Sequence, residues 1–293
     1  MTFWLVFVVI GVSQVCLAAL AVALAFSRRS RRKVAVGGVG GVASIGAAAR
    51  SRLWWKRLAA ARELSLTATI ADRATILQLL GDRHPAVQSA ATACLTRYAD
   101  AELLVRVIDG LSMASPAVRS YQLGVLSGYP EMVTPMLLDR IRPDAPPHKL
   151  YAYINAAAEL RDAECMMRVA DLSTHPHPEV RVAVARVLRS TPGDVIHVKL
   201  LSMLRDPDWR VRAQAARGLS STSDERTVKE LARALTDTNW WVRFRAGLAL
   251  ADTGAAGRTA LADALTSGDR YARDMATLVS GLSEASVAEL SAG

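Results

Sequence analysis

The sequence predicts an all-α protein, an α-solenoid of about seven stacked helix pairs preceded by one transmembrane helix. Three observations predict it. One short phrase, clearest as Asp206-Pro207-Asp208-Trp209-Arg210-Val211-Arg212, recurs about every thirty-one residues from Asp82 onward. Apolar residues at helical spacing lie on both sides of each copy. Residues 2–27 hold no charged side chain. A fixed period of this size marks units that bury their apolar faces against their neighbours.

Along the chain the apolar segment comes first. Residues 1–27 are expected to form the transmembrane helix, interrupted by Ser13 and Gln14. At ~1.5 Å per residue the uncharged run reaches about 39 Å, more than the ~30 Å hydrocarbon core of a bilayer. Arg28, Arg29, Arg31, Arg32 and Lys33 follow at once, and no Lys or Arg precedes the run. Positive charge is retained on the cytoplasmic side. The expected topology is therefore single-pass at the inner membrane, with the N-terminus outside and the remainder in the cytoplasm. A cleaved signal peptide would carry positive charge ahead of its apolar run.

Residues 28–52 are expected as a basic, Gly-rich juxtamembrane linker. Its uncharged part, residues 34–49, contains Gly37, Gly38, Gly40, Gly41 and Gly46, a composition suited to a flexible tether. Residues 53–66 are read as an amphipathic or capping helix. Trp54 and Trp55 stand there among Arg50, Arg52, Lys56 and Arg57. That mixture suits the headgroup level of an anionic leaflet, and equally a cover for the open end of an array. Residues 1–66 hold ten Lys or Arg and one Glu, whereas residues 67–293 hold 26 basic and 26 acidic residues. The net charge of +9 is thus a juxtamembrane property, and the array lacks the net positive field of a nucleic-acid binder.

Residues 67–293 are expected to form the solenoid. In the clearest unit a first helix covers about residues 194–204, with Val195, Val198, Leu200, Leu201 and Leu204 as its stripe. Asp206-Pro207 then breaks it, because Pro lacks the donor that would continue the ladder. The second helix runs from about Trp209 to Leu219, with core places at Val211, four residues on and eight residues on. The eighth place holds Leu95, Leu126, Ala158, Leu188, Leu219 and Leu250 across the units, one face of a 3.6-residue helix. Small residues between them (Ala91, Ala183, Ala215, Ala246) let helices approach closely. The residue after the Val is Arg119, Arg181, Arg212, Arg243 and Arg273, and Asp82, Asp206 and Asp237 stand five before it. A recurrent Asp and Arg predict charge-assisted hydrogen bonds between successive inter-helix turns, with Asp206, Arg212, Asp237 and Arg243 as rungs.

This unit resembles the HEAT repeat, and its tight bacterial form resembles the HEAT-like repeats named after phycobilisome lyases. The resemblance covers about residues 67–290. It is strongest over residues 178–250 and weakest over 130–161, where a turn with Pro143, Pro146 and Pro147 lengthens the connection and the Arg is missing. It implies a fold and, more often than not, a binding role; it does not imply an activity.

No catalytic residue, metal ligand or cofactor is expected. The five His are His84, His148, His175, His177 and His197, most of them in turns beside Pro. None adjoins a Glu, the pair that iron-binding hydroxylases of the HEAT class place in their repeats. His175-Pro176-His177 reads as a solvated turn rather than a metal grip. Cys16, Cys94 and Cys165 show no metal spacing and read as reduced thiols.

The second helices are expected to line the concave side. Their solvent positions, three, six and nine residues after the Val, give Tyr121, Tyr153, Arg186, Arg189, Arg217 and Arg245. A Tyr-bearing patch passes into an Arg-rich stripe, both typical binding anchors. Trp209, Trp240 and Trp241 stand at the mouths of second helices. One of the adjacent pair is expected to pack between units, and Trp241 is the exposed candidate for partner contact. These features predict a membrane-anchored cytoplasmic scaffold or adaptor that binds a protein, itself membrane-associated, such as a polysaccharide-type glycosyltransferase. Anionic lipid is the expected partner of the juxtamembrane segment; neither nucleic acid nor a small-molecule substrate is expected. The alternatives are a phycobilin-lyase-like enzyme, and a binder of nucleic acid or another anionic ligand through the Arg-rich face.

Overall fold

Helix follows helix through the computed structural model, which describes residues 41–220 and 224–292. Among them are seventeen α-helices and no strand. They stack as pairs: α1 (Gly41–Ala49) with α2 (Trp54–Thr67), α3 (Arg73–Leu80) with α4 (Pro85–Ala93), α5 (Ala101–Gly110) with α6 (Pro116–Leu126), and α7 (Pro130–Arg140) with α8 (Pro147–Leu160). The series continues with α9 (Ala163–Asp171) and α10 (Pro178–Leu188), α11 (Asp194–Met203) and α12 (Trp209–Gly218), α13 (Glu225–Ala234) and α14 (Trp240–Asp252), and α15 (Ala255–Leu265) and α16 (Arg270–Ser280). A final helix, α17 (Glu284–Ala292), turns back onto α14. The predicted span (residues 1–27) and the cluster Arg28, Arg29, Arg31, Arg32 and Lys33 lie outside the described residues. Among the described residues no helix is long and apolar enough to cross a membrane.

The array is longer than its sequence pattern indicates: eight pairs among the described residues instead of about seven. The extra unit is α1–α2, made from the end of the expected linker and the expected capping helix. The Gly- and Ala-rich composition that suits a tether also permits close packing. Ile45 and Ala49 of α1 and Ala60, Ala61 and Leu64 of α2 are buried, and Gln78 on α3 donates to the Ala49 carbonyl at 3.0 Å.

Most second helices start on a proline or a side-chain cap. Pro85, Pro116, Pro147 and Pro178 occupy first-turn positions, where a missing N–H costs nothing. Elsewhere a side chain caps the start: Asp208 accepts from the Arg210 amide (2.8 Å), Asn239 from Trp241 (2.9 Å) and Asp269 from Ala272 (2.9 Å). Such a cap is worth about 1 kcal/mol. Behind it the repeated core is dry. Val87, Leu95, Val180, Leu188, Val211, Leu219, Val242 and Leu250 are all buried, each contributing roughly 1.5–3 kcal/mol of apolar transfer. In α11 the buried row is Ile196, Leu200, Leu201 and Met203; Val195 and Val198 of the expected stripe face outward. Apolar residues on both flanks of that helix blur its stripe in the sequence.

Second helices pack side by side along the stack, α8 on α10, α10 on α12, α12 on α14 and α14 on α16, more intimately than first helices do. They therefore form the shorter, inner side. Gly218 makes one such approach possible: a Cβ there would lie 2.9 Å from the Arg189 Cβ and 3.1 Å from a Leu200 methyl. Gly247 does the same where α14 meets α16, since a Cβ would lie 2.8 Å from Val279.

Candidate functional site

Two rows of arginine run along the stack, and they differ in what their guanidinium groups meet. The first follows the inter-helix turns. Arg181 on α10 reaches forward one unit: its Nε and Nη2 donate to the two carboxylate oxygens of Asp206 at 2.7 and 2.8 Å. Its Nη1 donates backward to the carbonyls of His175 and Pro176 in its own turn. Arg212 repeats this with Asp237 at 2.7 and 2.9 Å and with the carbonyls of Asp206 and Pro207. Arg57 on α2 forms a third rung with Asp82, and also binds the carbonyls of Ser51 and Arg52. Each Asp additionally accepts the amide two residues on, at 2.8 Å, from His84, Asp208 and Asn239 respectively. One carboxylate thus closes its own turn and ties it to the preceding unit.

The electrostatics follow. The hydrogen bond to its Asp raises the pKa of Arg57, Arg181 and Arg212. Burial pushes the carboxyls of Asp82 and Asp237 up, but the bonds from Arg57 and Arg212 and from the turn amides outweigh it, and both end below the ordinary carboxylate value. The row ends at Arg243. It binds the carbonyls of Asp237 and Thr238, but the place of the next Asp is taken by Ser267, whose hydroxyl accepts the Asp269 amide at 3.1 Å and carries no charge. Its guanidinium lies over the Tyr271 ring instead, 4.5 Å from the centroid.

His175 belongs to this row too. It occupies the Asp place, is buried rather than solvated, accepts the His177 amide at Nδ1 (3.1 Å), and meets the Pro143 carbonyl through Nε2 (3.2 Å). The ring copies both links of the Asp, and the preceding unit offers Tyr151 where most units have Arg. Among the described residues no three His, Cys, Asp or Glu side chains gather as a metal site requires. The Cys94 and Cys165 thiols are buried, which pushes both up to about 12 and leaves them un-ionised near neutrality.

The second row crosses the inner faces of α10, α12 and α14 and comprises Arg186, Arg189, Arg217 and Arg245. Arg186 bridges back to α8, donating to Asn155 Oδ1 at 2.9 Å and to the Tyr151 hydroxyl at 3.4 Å, with its guanidinium over the Tyr151 ring. Arg217 Nε donates to the Ser291 carbonyl (3.0 Å), and Arg245 Nη1 to that of Leu290 (2.7 Å), both in the last turn of α17. Among the described residues Arg186, Arg189 and Arg245 form no ion pair with any carboxylate. Burial first, and then neighbouring guanidiniums, hold three of them below the usual Arg value: Arg217 and Arg186 act on Arg189, Arg245 on Arg217, and Arg189 on Arg245. The row is a concentration of positive charge with no carboxylate of its own array against Arg186, Arg189 or Arg245.

The predicted aromatics are placed differently. Tyr121 is exposed on α6, but Tyr153 is only 4% exposed, in the core beside Leu150 and Ile154. A position three residues after a core residue shares its face and is covered when the next helix lies close. The tyrosine on the inner face is Tyr151. Neither Trp240 nor Trp241 packs between units. Both are about half exposed; Trp240 stacks on Phe244 at 4.8 Å, and Trp241 stands edge-on to Trp240 at 4.9 Å. Trp54 stacks flat on His84 at 4.0 Å, joining the first unit to the turn of the second, with Trp55 edge-on to it and exposed.

Residues 198–280 match the family model described as HEAT repeats. That stretch is similar to HEAT repeats. The matched stretch takes in α12 to α16, hence the Arg212–Asp237 rung and both Arg217 and Arg245 of the inner row. Among solved structures, YibA of Escherichia coli shares 16% identity over 83% of this chain and 93% of its own, with a TM-score of 0.45. An engineered protein shares 18% over 80% and 77%, with a TM-score of 0.40. Human deoxyhypusine hydroxylase in complex with glycerol shares 21% over 81% and 94%, with a TM-score of 0.34. Likenesses this distant bear on neither the activity nor the partners of the array. No curated protein matches the chain in sequence.

Proposed function

We propose that this protein is a non-catalytic scaffold that holds a protein partner on the inner face of its array, at the cytoplasmic side of a membrane. The observation that carries the reading is the second arginine row. Arg186, Arg189, Arg217 and Arg245 form a charged strip on facing second helices, and among the described residues no carboxylate pairs with Arg186, Arg189 or Arg245 as one does with each turn arginine. Guanidinium groups held in a half-buried groove are typical anchors for a protein surface. The uncharged run over residues 2–27 and the five cations after it support an anchor with the array inside. Anchoring raises the effective concentration of array and partner, so modest intrinsic affinity suffices. An integral membrane enzyme, such as a polysaccharide-type glycosyltransferase, is the partner class that an anchored array would meet along its length. Anionic lipid would neutralise the residue 28–33 cluster.

Crosslinking and pull-down from membranes test the reading, comparing the full chain with one lacking residues 1–33. The full chain should retain an integral membrane protein, and the shortened chain should retain much less of it. Recovery of soluble proteins alone, equally by both, would overturn the proposal. Nucleic-acid binding is the competing outcome, recognised by steep loss with salt and by sensitivity to Arg186→Glu, Arg217→Glu and Arg245→Glu together.

A further inference from the structure

The tryptophans of the described residues share one register. Trp54 and Trp55 are the first two residues of α2, Trp209 is the first of α12, and Trp240 and Trp241 are the first two of α14. Tyr271, second in α16, takes the place of Trp241 one unit on. Second helices pack side by side, so their starts line one edge of the stack, the edge of the inter-helix turns. All six rings are between 39% and 53% exposed there. Exposed apolar surface that returns in the same place marks a contact rather than a packing fault.

Ring chemistry and the surrounding charge point to lipid as the occupant. Trp and Tyr, with an apolar body and a polar tip, are enriched where membrane meets water. The array neutralises acids of this edge itself: Asp82, Asp206 and Asp237 through the turn arginines, and Asp208 through Arg210 at 2.7 Å. Arg52 and Lys56, beside the first Trp pair, are exposed. An anionic surface is attracted by such cations and meets paired carboxylates. The aromatics also stand at both ends of the array, in the first unit and the last three, while Pro85, Pro116 and Pro178 hold the first place in units between. A bilayer can touch both ends at once, whereas a protein interface is built around one contiguous core.

We infer that the turn edge is a second membrane contact, lying at the headgroup level of an anionic bilayer with Trp54, Trp55, Trp209, Trp240, Trp241 and Tyr271 in the interface. The inference rests on the membrane part of the proposed function and adds the orientation of the array. If residues 2–27 span the bilayer, residues 28–40 reach at most about 45 Å at ~3.5 Å per residue, so α1 starts within that distance of lipid. Tethering at this range makes a weak second contact effective. With the turn edge down, second helices rise from the membrane and their inner face stands beside a neighbouring membrane protein.

The test uses the full chain with Trp4→Phe, reconstituted in vesicles of phosphatidylcholine and phosphatidylserine whose lipids carry bromine, a contact quencher of indole fluorescence. Emission should shift to the blue and lose intensity relative to the same vesicles without bromine. Two further variants divide the signal: Trp54→Phe with Trp55→Phe, and Trp209→Phe with Trp240→Phe and Trp241→Phe. The indoles left in each should still be quenched. Emission indifferent to bromine, quenching confined to Trp54 and Trp55, or equal quenching without phosphatidylserine would each overturn the inference. Flotation of the same vesicles separates the levels: a chain that floats unquenched keeps its anchor and loses this contact, and a chain that does not float loses both. Protein docking is the competing outcome. An unquenched chain that loses its membrane partner in pull-down on Trp209→Ser, Trp240→Ser and Trp241→Ser together would assign the edge to a protein instead.

Discussion

The turn row and the inner row use the same side chain at the same repeat spacing for opposite ends. Arg57, Arg181 and Arg212 each find both oxygens of an Asp and at least two backbone carbonyls. Arg189 and Arg245, on the inner side of the second helices, find no carboxylate among the described residues. The difference teaches that recurrence alone does not separate a structural residue from a binding one. What separates them is whether the array supplies the counter-charge. A rung satisfied by its own stack has nothing left for a ligand; a row that the stack leaves uncompensated does.

The largest effect should come from breaking a rung. Asp206→Ala strands the half-buried Arg181 guanidinium and frees the Asp208 amide, and should cost on the order of 3 kcal/mol in denaturant unfolding. Arg245→Ala, which removes a hydrogen bond to the exposed Leu290 carbonyl, should cost under about 0.5 kcal/mol. Gly218→Val comes next. Its side chain would meet Arg189 and Leu200 where α10 and α12 touch, and overpacking of this kind costs about 1–3 kcal/mol.

Acid should sharpen the contrast. Asp82 and Asp237 titrate below the ordinary carboxylate value in the folded chain. Groups depressed in this way contribute stability that is complete above the unfolded pKa, about 4, and lost as pH falls through the folded value. Unfolding free energy is therefore expected to hold steady from neutrality to about pH 5 and to decline below about pH 4. The decline should be shallower in Asp237→Asn, which has no carboxyl to protonate there. Inner-row substitutions should leave the pH profile unchanged. A small stabilising effect concerns Gln122, buried on α6 with Oε1 unpartnered. Gln122→Leu should stabilise by about 1 kcal/mol, read as a rise in the unfolding midpoint.

Much of this was legible in the chain, for identifiable reasons. Val211 and Leu219 declare the core because a helix face repeats every 3.6 residues. Asp206 and Arg212 declare the turn because both recur. The direction of the rung was not legible: Arg181 bonds an Asp twenty-five residues ahead, and only stacking shows which turn is nearest. The first unit was hidden because Lys56 and Ser51 replace its Val and Asp, although Arg57 and Leu64 keep the spacing. His175 was misread because a buried imidazole copies a carboxylate through a tertiary contact that no local pattern records. Tyr153 fell on the boundary of a buried face, where one neighbouring helix decides exposure. The return of α17 over the inner row is tertiary throughout and leaves no periodic trace.

The most direct test of the account is membrane pull-down with a chain carrying Arg189→Glu, Arg217→Glu and Arg245→Glu, made at a temperature where its unfolding curve overlays that of the unaltered protein. The account predicts that the variant stays folded and that the membrane partner is lost. A partner retained at full yield, or a variant as destabilised as Asp206→Ala, would contradict it.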